Sequence, residues 1–221
     1  MPGVPNFAVT ELFDGVAMKL TRRHFIGALG LGAAGLGVDG LGAPRAFAAV
    51  RTDAAPGLLA KARAALDAHG AKVPHRDVVG LVDFAAPSGK PRFQVIDLGS
   101  GRIVSSNLVA HGRGSDPANT GFVQRFSNEP GSNASSAGSF LVGESYVGKY
   151  GRSRRLHGLD PQNDLAFDRA IVIHSADYVS QTMASTSGRV GRSFGCFTVS
   201  HSDIAMVLAQ LGPGRLLFSA R

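Results

Sequence analysis

One cysteine, Cys196, closes the run Gly188-Arg189-Val190-Gly191-Arg192-Ser193-Phe194-Gly195-Cys196. Two arginines and three glycines lead into it. Neighbouring positive charge favours the thiolate, the form of cysteine that attacks carbonyl carbon. Glycine lets a backbone turn tightly and approach a ligand. The run therefore has the make-up of a reactive thiol on a glycine-shaped loop. The competing reading is a small buried hydrophobe, because unpaired cysteines are among the most buried residues.

A thiol nucleophile needs a base, and the base needs an orienting group. His174 has the best placement. It ends the apolar run Ala170-Ile171-Val172-Ile173, precedes polar Ser175, and lies upstream of the cysteine loop. Its other reading is a strand-end histidine bonded to backbone. His111 also ends a strand-like segment, before Gly112. His201 is close to Cys196 in sequence, but at a helix start where capping accounts for it. No His-x-x-x-His pair and no second cysteine are present, so a zinc site is not expected. Gly188-x-x-Gly191 lacks the ending of a phosphate loop, and no Gly-x-Ser-x-Gly elbow occurs.

The elements that must position these residues are mostly strands. Val78 to Phe84 is apolar. Arg92 to Leu98 and Arg102 to Ala110 flank Gly99-Ser100-Gly101 as a β-hairpin. Residues 113–138 are polar and without periodicity, a loop long enough to be functional. Ser139 to Val142 is a short strand, 143–151 a turn or hairpin, 152–157 a further strand, and Pro161 to Asp168 a polar loop or short helix. Ala170 to Ile173 is a buried strand. Ser202 caps a helix to about Leu211, with Asp203 in its first turn. Gly212-Pro213-Gly214 ends it before a closing strand, Arg215 to Ser219. Upstream, residues 56–69 form an amphipathic helix with Leu58, Leu59, Ala62, Ala65 and Leu66 on one face, Asp53 as cap and Gly70 as stop. The expected fold is mainly β with a few helices, a β-rich α+β domain. Long βαβ alternation is missing, so a doubly wound parallel sheet is not expected.

Length and composition agree. The 221 residues are 44% hydrophobic and 18% charged, with 29 Gly and no Trp. That excludes global disorder and leans away from a helical bundle. The first 48 residues are expected to be an address. Thr21-Arg22-Arg23-His24-Phe25-Ile26 precedes a Gly/Ala/Leu run to Leu41, and Ala46-Phe47-Ala48 supplies a small-x-small cleavage pattern. Together they match a twin-arginine export signal. The run is too short and glycine-rich for a comfortable membrane span, so the mature form is expected to lack one. Met18 is a natural start, and residues 1–17 are then an upstream mis-start. The expected compartment is the periplasm. The chain carries +7, and its mature part stays basic, which suits an anionic partner. Nucleic acid is not expected, since no aromatic-interleaved basic motif occurs. Export also bears on Cys196. A lone cysteine in an oxidising compartment makes no internal disulfide, so it is an intermolecular link or a free reactive thiol.

The segments Ile171-Val172-Ile173-His174-Ser175-Ala176-Asp177-Tyr178 and Gly188 to Cys196 resemble the catalytic region of the murein L,D-transpeptidases, the YkuD-like domain. The resemblance is to the variant branch with Gly-Arg-Ser-aromatic-Gly-Cys. Val82-Asp83-Phe84, Phe93 to Leu98, Val109-Ala110-His111-Gly112, Phe126 to Ser132 and Tyr146-Val147-Gly148-Lys149 are similar to it too. It covers about residues 80–221, with 49–79 as a helical segment packed on that catalytic domain. The resemblance implies a β-sandwich-like domain, no cofactor, a monomer, and peptidoglycan stem peptides as partner. It implies that Cys196 forms a thioester and passes the acyl group to an amine. His174 would be the base and the Ser175 carbonyl its orienter. Backbone N–H groups near Gly195 and Cys196 would form the oxyanion hole, with Ser193 and Arg192 as positioning residues, Arg192 either holding a substrate carboxylate or tying its loop. His111 and Tyr146 would contact substrate. Water as acceptor would give an L,D-carboxypeptidase, and loss of activity a wall-binding module. The commoner family pattern has His and Asn where this chain has Phe194 and Thr198. The longer His174–Cys196 spacing implies an extra loop around Ser180 to Gly188.

Overall fold

The computed structural model describes residues 56–221, so the expected export signal, its start site and the Asp53 cap lie outside the described residues. Eight strands form one sheet: β1 (Val78–Asp83), β2 (Phe93–Asp97), β3 (Ile103–Asn107), β4 (Gly138–Gly148), β5 (Gly151–Gly158), β6 (Val172–Ser175), β7 (Phe197–Val199) and β8 (Leu216–Ala220). Three helices accompany them: α1 (Pro56–Ala68), α2 (Gln181–Ser187) and α3 (Ile204–Gln210). The order is β3-β2-β1-β8-β4-β5-β6-β7. β1/β8 and β6/β7 are parallel and the other pairs antiparallel. The β-rich α+β expectation is therefore met.

The sheet curls back on itself, which is how one sheet produces a sandwich-like core. β1 and β7 are five places apart, about 24 Å in a flat sheet. Yet Phe84, just after β1, stacks on Phe197 of β7 with ring centroids 5.9 Å apart. Phe140 of β4 meets the same ring edge-on at 5.3 Å. Phe93, Leu156, Ile171, Ile173, Val199, Leu211 and Leu217 complete this core from strands on both sides of the sheet order, the turn before β6 and the end of α3. The segment after β3 closes the curl. The Ala110 N–H donates to Thr198 O at 2.8 Å, and Gly112 bridges Ser193. The other face of the sheet takes α1, whose Leu58, Ala62 and Leu66 pack on Val79, Leu81, Ile96 and Leu216.

Three local readings differ from the sequence expectation. β4 runs on to Gly148, so β4 and β5 make one long hairpin with a bulge between Val142 and Ser145. Residues 144–148 of β4 are exposed or half-buried throughout, which removes the alternation that marks a strand. Ser200 rather than Ser202 serves the α3 terminus, its hydroxyl accepting from Asp203 N at 3.1 Å. The expected loop at Ser180 to Gly188 is the helix α2. Ser180 Oγ accepts from Met183 N at 3.1 Å, and Gly188, at φ 68°, ends it in the left-handed region.

Candidate active site

The apolar run before His174 becomes β6 and pairs in parallel with β7, in the register Ile173↔Phe197, His174↔Thr198 and Ser175↔Val199. Successive strand residues alternate faces. Ile173, Phe197 and Val199 enter the main core, so His174 and Thr198 share the opposite face. Cys196, two residues before Thr198, falls on that face as well. Strand pairing thus brings together a thiol and an imidazole 22 positions apart in sequence.

His174 is buried and held on both nitrogens. Nδ1–H donates to the Ser175 carbonyl at 3.0 Å. That leaves Nε2 as the acceptor, and the Thr198 hydroxyl, 3.0 Å away, donates to it. Tyr178 Oη lies 3.2 Å from Thr198 Oγ1. Tyr150, at the tip of the β4–β5 hairpin, stacks on the imidazole at 4.4 Å. Burial pushes the His174 pKa down, the Ser175 carbonyl opposes this, and Lys149 reinforces it. The imidazole is accordingly neutral at neutral pH and has a lone pair to take a proton.

Cys196 is partly buried, and its Sγ lies 3.6 Å from the Ala170 carbonyl. Ala170 presents that carbonyl from a left-handed backbone, φ 53°, unusual for a residue with a Cβ. Burial pushes the thiol pKa up, while the Val172 amide, Arg169 and Lys149 pull it back. The thiol is thus protonated at neutral pH and needs a base. Sγ bonds Ala170 O, while His174 Nε2 bonds Thr198 Oγ1.

The cysteine loop is fixed by short polar ties. Ser193 N donates to His111 O at 2.9 Å, Ser193 Oγ donates to Cys196 O at 2.8 Å, and Gly195 N donates to Ser193 Oγ at 3.1 Å. Ser193 is therefore a clamp inside the loop. Gly195 is required twice over. Its φ is 120°, and a Cβ there would sit 2.7 Å from Ile171 Cδ1 and 2.8 Å from Ala134 O. Its N–H is engaged by Ser193, so it is not an open oxyanion donor.

Arg169, which sequence reasoning missed, braces the long loop against this site. It donates to Ser127 O at 2.8 Å, Ser136 Oγ at 2.6 Å, Ser132 Oγ at 3.2 Å and Ala134 O at 2.6 Å. Its charge is also the largest one favouring the Cys196 thiolate. Arg192 instead donates to the carbonyls of Asp116 and, at 3.3 Å, Pro117. Of its two expected roles, the tie to its loop is the one the geometry holds.

His111 does not line the surface. It is fully buried between Arg92, whose Nη2 donates to Nδ1 at 2.7 Å, and Asp116, whose Oδ2 is 3.4 Å from Nε2. Its expected contact with substrate is corrected to support of the cysteine loop through its carbonyl. Tyr146 lies under the Arg155 guanidinium at 4.6 Å, and Arg155 also covers Phe167 at 5.3 Å. The structure gives Tyr146 no tie to Cys196 or His174. Residues to which the sequence assigned no role carry much of the site: Thr198, Tyr178, Tyr150, Lys149 and Arg169. Thr198 had a signal, its two-residue offset from Cys196, and Arg169 had none.

A cavity of about 550 Å³ opens beside His174, lined by Lys149, Tyr150, Arg152, Ser175, Asp177 and Tyr178. Its cations suit an anionic group. Asp177 is paired with His201 Nε2 at 3.0 Å. Among the described residues no cluster of three or more His, Cys, Asp or Glu could hold a metal ion. None of the described helices is long and apolar enough to cross a membrane.

A family model described as the L,D-transpeptidase catalytic domain matches residues 51–219. No curated protein sequence matches the chain significantly. Among solved structures, the chain is similar to an L,D-transpeptidase from Mycobacterium smegmatis (13% identity, TM-score 0.41, 66% of this chain and 59% of that one). It is also similar to L,D-transpeptidase 3 from Mycobacterium tuberculosis in complex with a faropenem-derived adduct (14%, 0.42, 66% and 60%). An L,D-transpeptidase from Xylanimonas cellulosilytica is a third (17%, 0.38, 72% and 68%). The chain spans about 60% of the length of the two mycobacterial proteins.

Proposed function

The chain belongs to the L,D-transpeptidase catalytic domain family, and from that premise we propose that it is an exported cysteine acyltransferase acting on peptidoglycan stem peptides. The observation that carries this reading is the β6–β7 pairing. It places the lone thiol on the same strand face as a neutral imidazole whose tautomer is set by the Ser175 carbonyl. Cys196 Sγ attacks the carbonyl that follows the L-centre of the stem diamino acid, and His174 takes the thiol proton. The C–N bond to D-Ala breaks, the leaving amine receives that proton, and a thioester remains. The amine of a second stem then attacks, the C–S bond breaks, and the thiol is restored.

The raised thiol pKa makes the base necessary, and the neutral imidazole makes it available at neutral pH. With the Gly195 amide engaged by Ser193, the reading relies on the Cys196 N–H as oxyanion donor. Lys149 and Arg152 supply positive charge for a stem carboxylate. Export and a periplasmic site of action rest on Arg22-Arg23, the apolar run and Ala46-Phe47-Ala48.

The test is incubation of the mature enzyme with disaccharide-tetrapeptides and analysis of the products. Dimers with release of D-Ala support transpeptidation. Tripeptide monomers alone identify water as the acceptor. No change in either product on Cys196→Ala removes the cysteine mechanism.

A further inference from the structure

We propose that Tyr178 and Thr198 form a hydroxyl relay that carries the proton of the attacking amine to His174 during acyl transfer. This rests on the cysteine acyltransferase reading above and adds a route to it. The direction of the hydrogen bonds fixes what the chain of groups does. Nδ1–H of His174 is committed to Ser175 O, so Nε2 is an acceptor and Thr198 must be its donor. Thr198 has one hydroxyl proton, so it can only accept from Tyr178, 3.2 Å away. The Tyr178 proton is therefore aimed inward. Tyr178 itself is among the residues lining the cavity beside the site, where the acceptor amine would arrive. Burial raises the Tyr178 pKa, which keeps the phenol protonated and able to donate. Thr198 is fully buried, so its hydroxyl exchanges protons only with its two partners.

The step balances. The amine nitrogen bonds to the thioester carbonyl carbon and its proton moves to the Tyr178 oxygen. The Tyr178 proton moves to Thr198 Oγ1, and the Thr198 proton to His174 Nε2. Collapse of the adduct breaks the C–S bond, and the imidazolium proton goes to the departing Sγ. Rotation of two O–H bonds resets the chain. Tyr150 stacks on the face of the imidazole with Lys149 over its own ring, while Nε2, in the ring plane, keeps its bond to Thr198.

The experiment compares wild type with Tyr178→Phe, Thr198→Val and Thr198→Ser, using a tetrapeptide donor and a stem-peptide amine acceptor. Intact-mass kinetics follow acyl-enzyme formation, and product analysis follows transfer. Tyr178→Phe removes one oxygen and keeps the ring. It is expected to slow transfer by about a hundredfold, the low end for loss of a positioned proton acceptor, and to slow acylation several times less. Acyl-enzyme then accumulates. Transfer by the Phe variant should climb with pH toward the amine's own pKa, while wild type is already served at neutral pH. Thr198→Ser should restore what Thr198→Val loses. Equal slowing of acylation and transfer in Tyr178→Phe, or unchanged transfer, overturns the relay while leaving the acyltransferase reading in place. Absence of acyl-enzyme in wild type overturns that reading and the relay with it.

Discussion

His111 should make the fold acid-sensitive, and the structure gives the size and the pH window. Its Nδ1 accepts from Arg92 Nη2 at 2.7 Å, and its Nε2 faces Asp116 at 3.4 Å. A second proton would have to sit on Nδ1, against the guanidinium, in a fully buried site. Burial and then Arg92 push the His111 pKa down to about 4, with Asp116 opposing. In the unfolded chain the imidazole titrates near 6.5. Between those values the unfolded state binds more protons, so stability is fully present above about pH 6.5 and is lost as pH falls toward 4. The 2.5-unit difference corresponds to about 3 kcal/mol at 1.36 kcal/mol per unit. Urea unfolding of residues 49–221 from pH 7.5 to 4.5, wild type against His111→Asn, reads it directly. Asn keeps an acceptor for Arg92 and does not titrate. It should be less stable at pH 7 and lose much of the pH slope, although His174, also held neutral by burial, contributes a slope of the same sign to both proteins. An identical slope in the two proteins would refute the argument.

The remaining predictions concern the loops around the thiol. Arg169→Lys should lower the rate of Cys196 alkylation at neutral pH and destabilise the fold by about 2–4 kcal/mol, because one ammonium cannot reach the four acceptors of the guanidinium. Alkylation-rate profiles against pH and denaturant melts check both. Gly195→Ala should cost about 2 kcal/mol or more and abolish turnover, since the new Cβ meets Ile171 and Ala134 in a strained backbone. Thermal melts and product analysis measure it. Arg192→Ala should lower the melting temperature while leaving KM for the tetrapeptide nearly unchanged, because its guanidinium is bonded to the Asp116 and Pro117 carbonyls. A large KM increase would return it to substrate binding. Ser180→Ala should cost about 1 kcal/mol by removing the α2 cap.

The strand pattern was legible where burial was one-sided or complete. The run at β6 and the hairpin of β2 and β3 followed from apolar residues and glycine turns. The distal half of β4 was not, because residues 144–148 are exposed or half-buried throughout and leave no apolar period. The loop 113–138 has no period for another reason. Its order comes from side chains, with Asp116 accepting from Thr120 N at 2.8 Å and Gly121 N at 2.7 Å, and from Arg169. At the site, Cys196, His174 and Ser175 could be picked out from local sequence, since one strand end and one loop carry them. Arg192 drew attention by sequence proximity, yet Arg169, 27 positions from the cysteine, faces the thiol because β6 and β7 are neighbours. His111 read as a rim residue because it follows a strand. Its burial depends on Arg92 and Asp116, which only the curled sheet brings to it.

The central claim is that Cys196 becomes acylated by the donor stem. Intact-mass spectrometry of the mature enzyme with a tetrapeptide donor and no added amine tests it most directly. The expected result is a covalent adduct equal to the tripeptide acyl group, with D-Ala released, mapping to the peptide that contains Cys196 and missing in Cys196→Ala. Donor turnover without an adduct, and unchanged by Cys196→Ala, would contradict it.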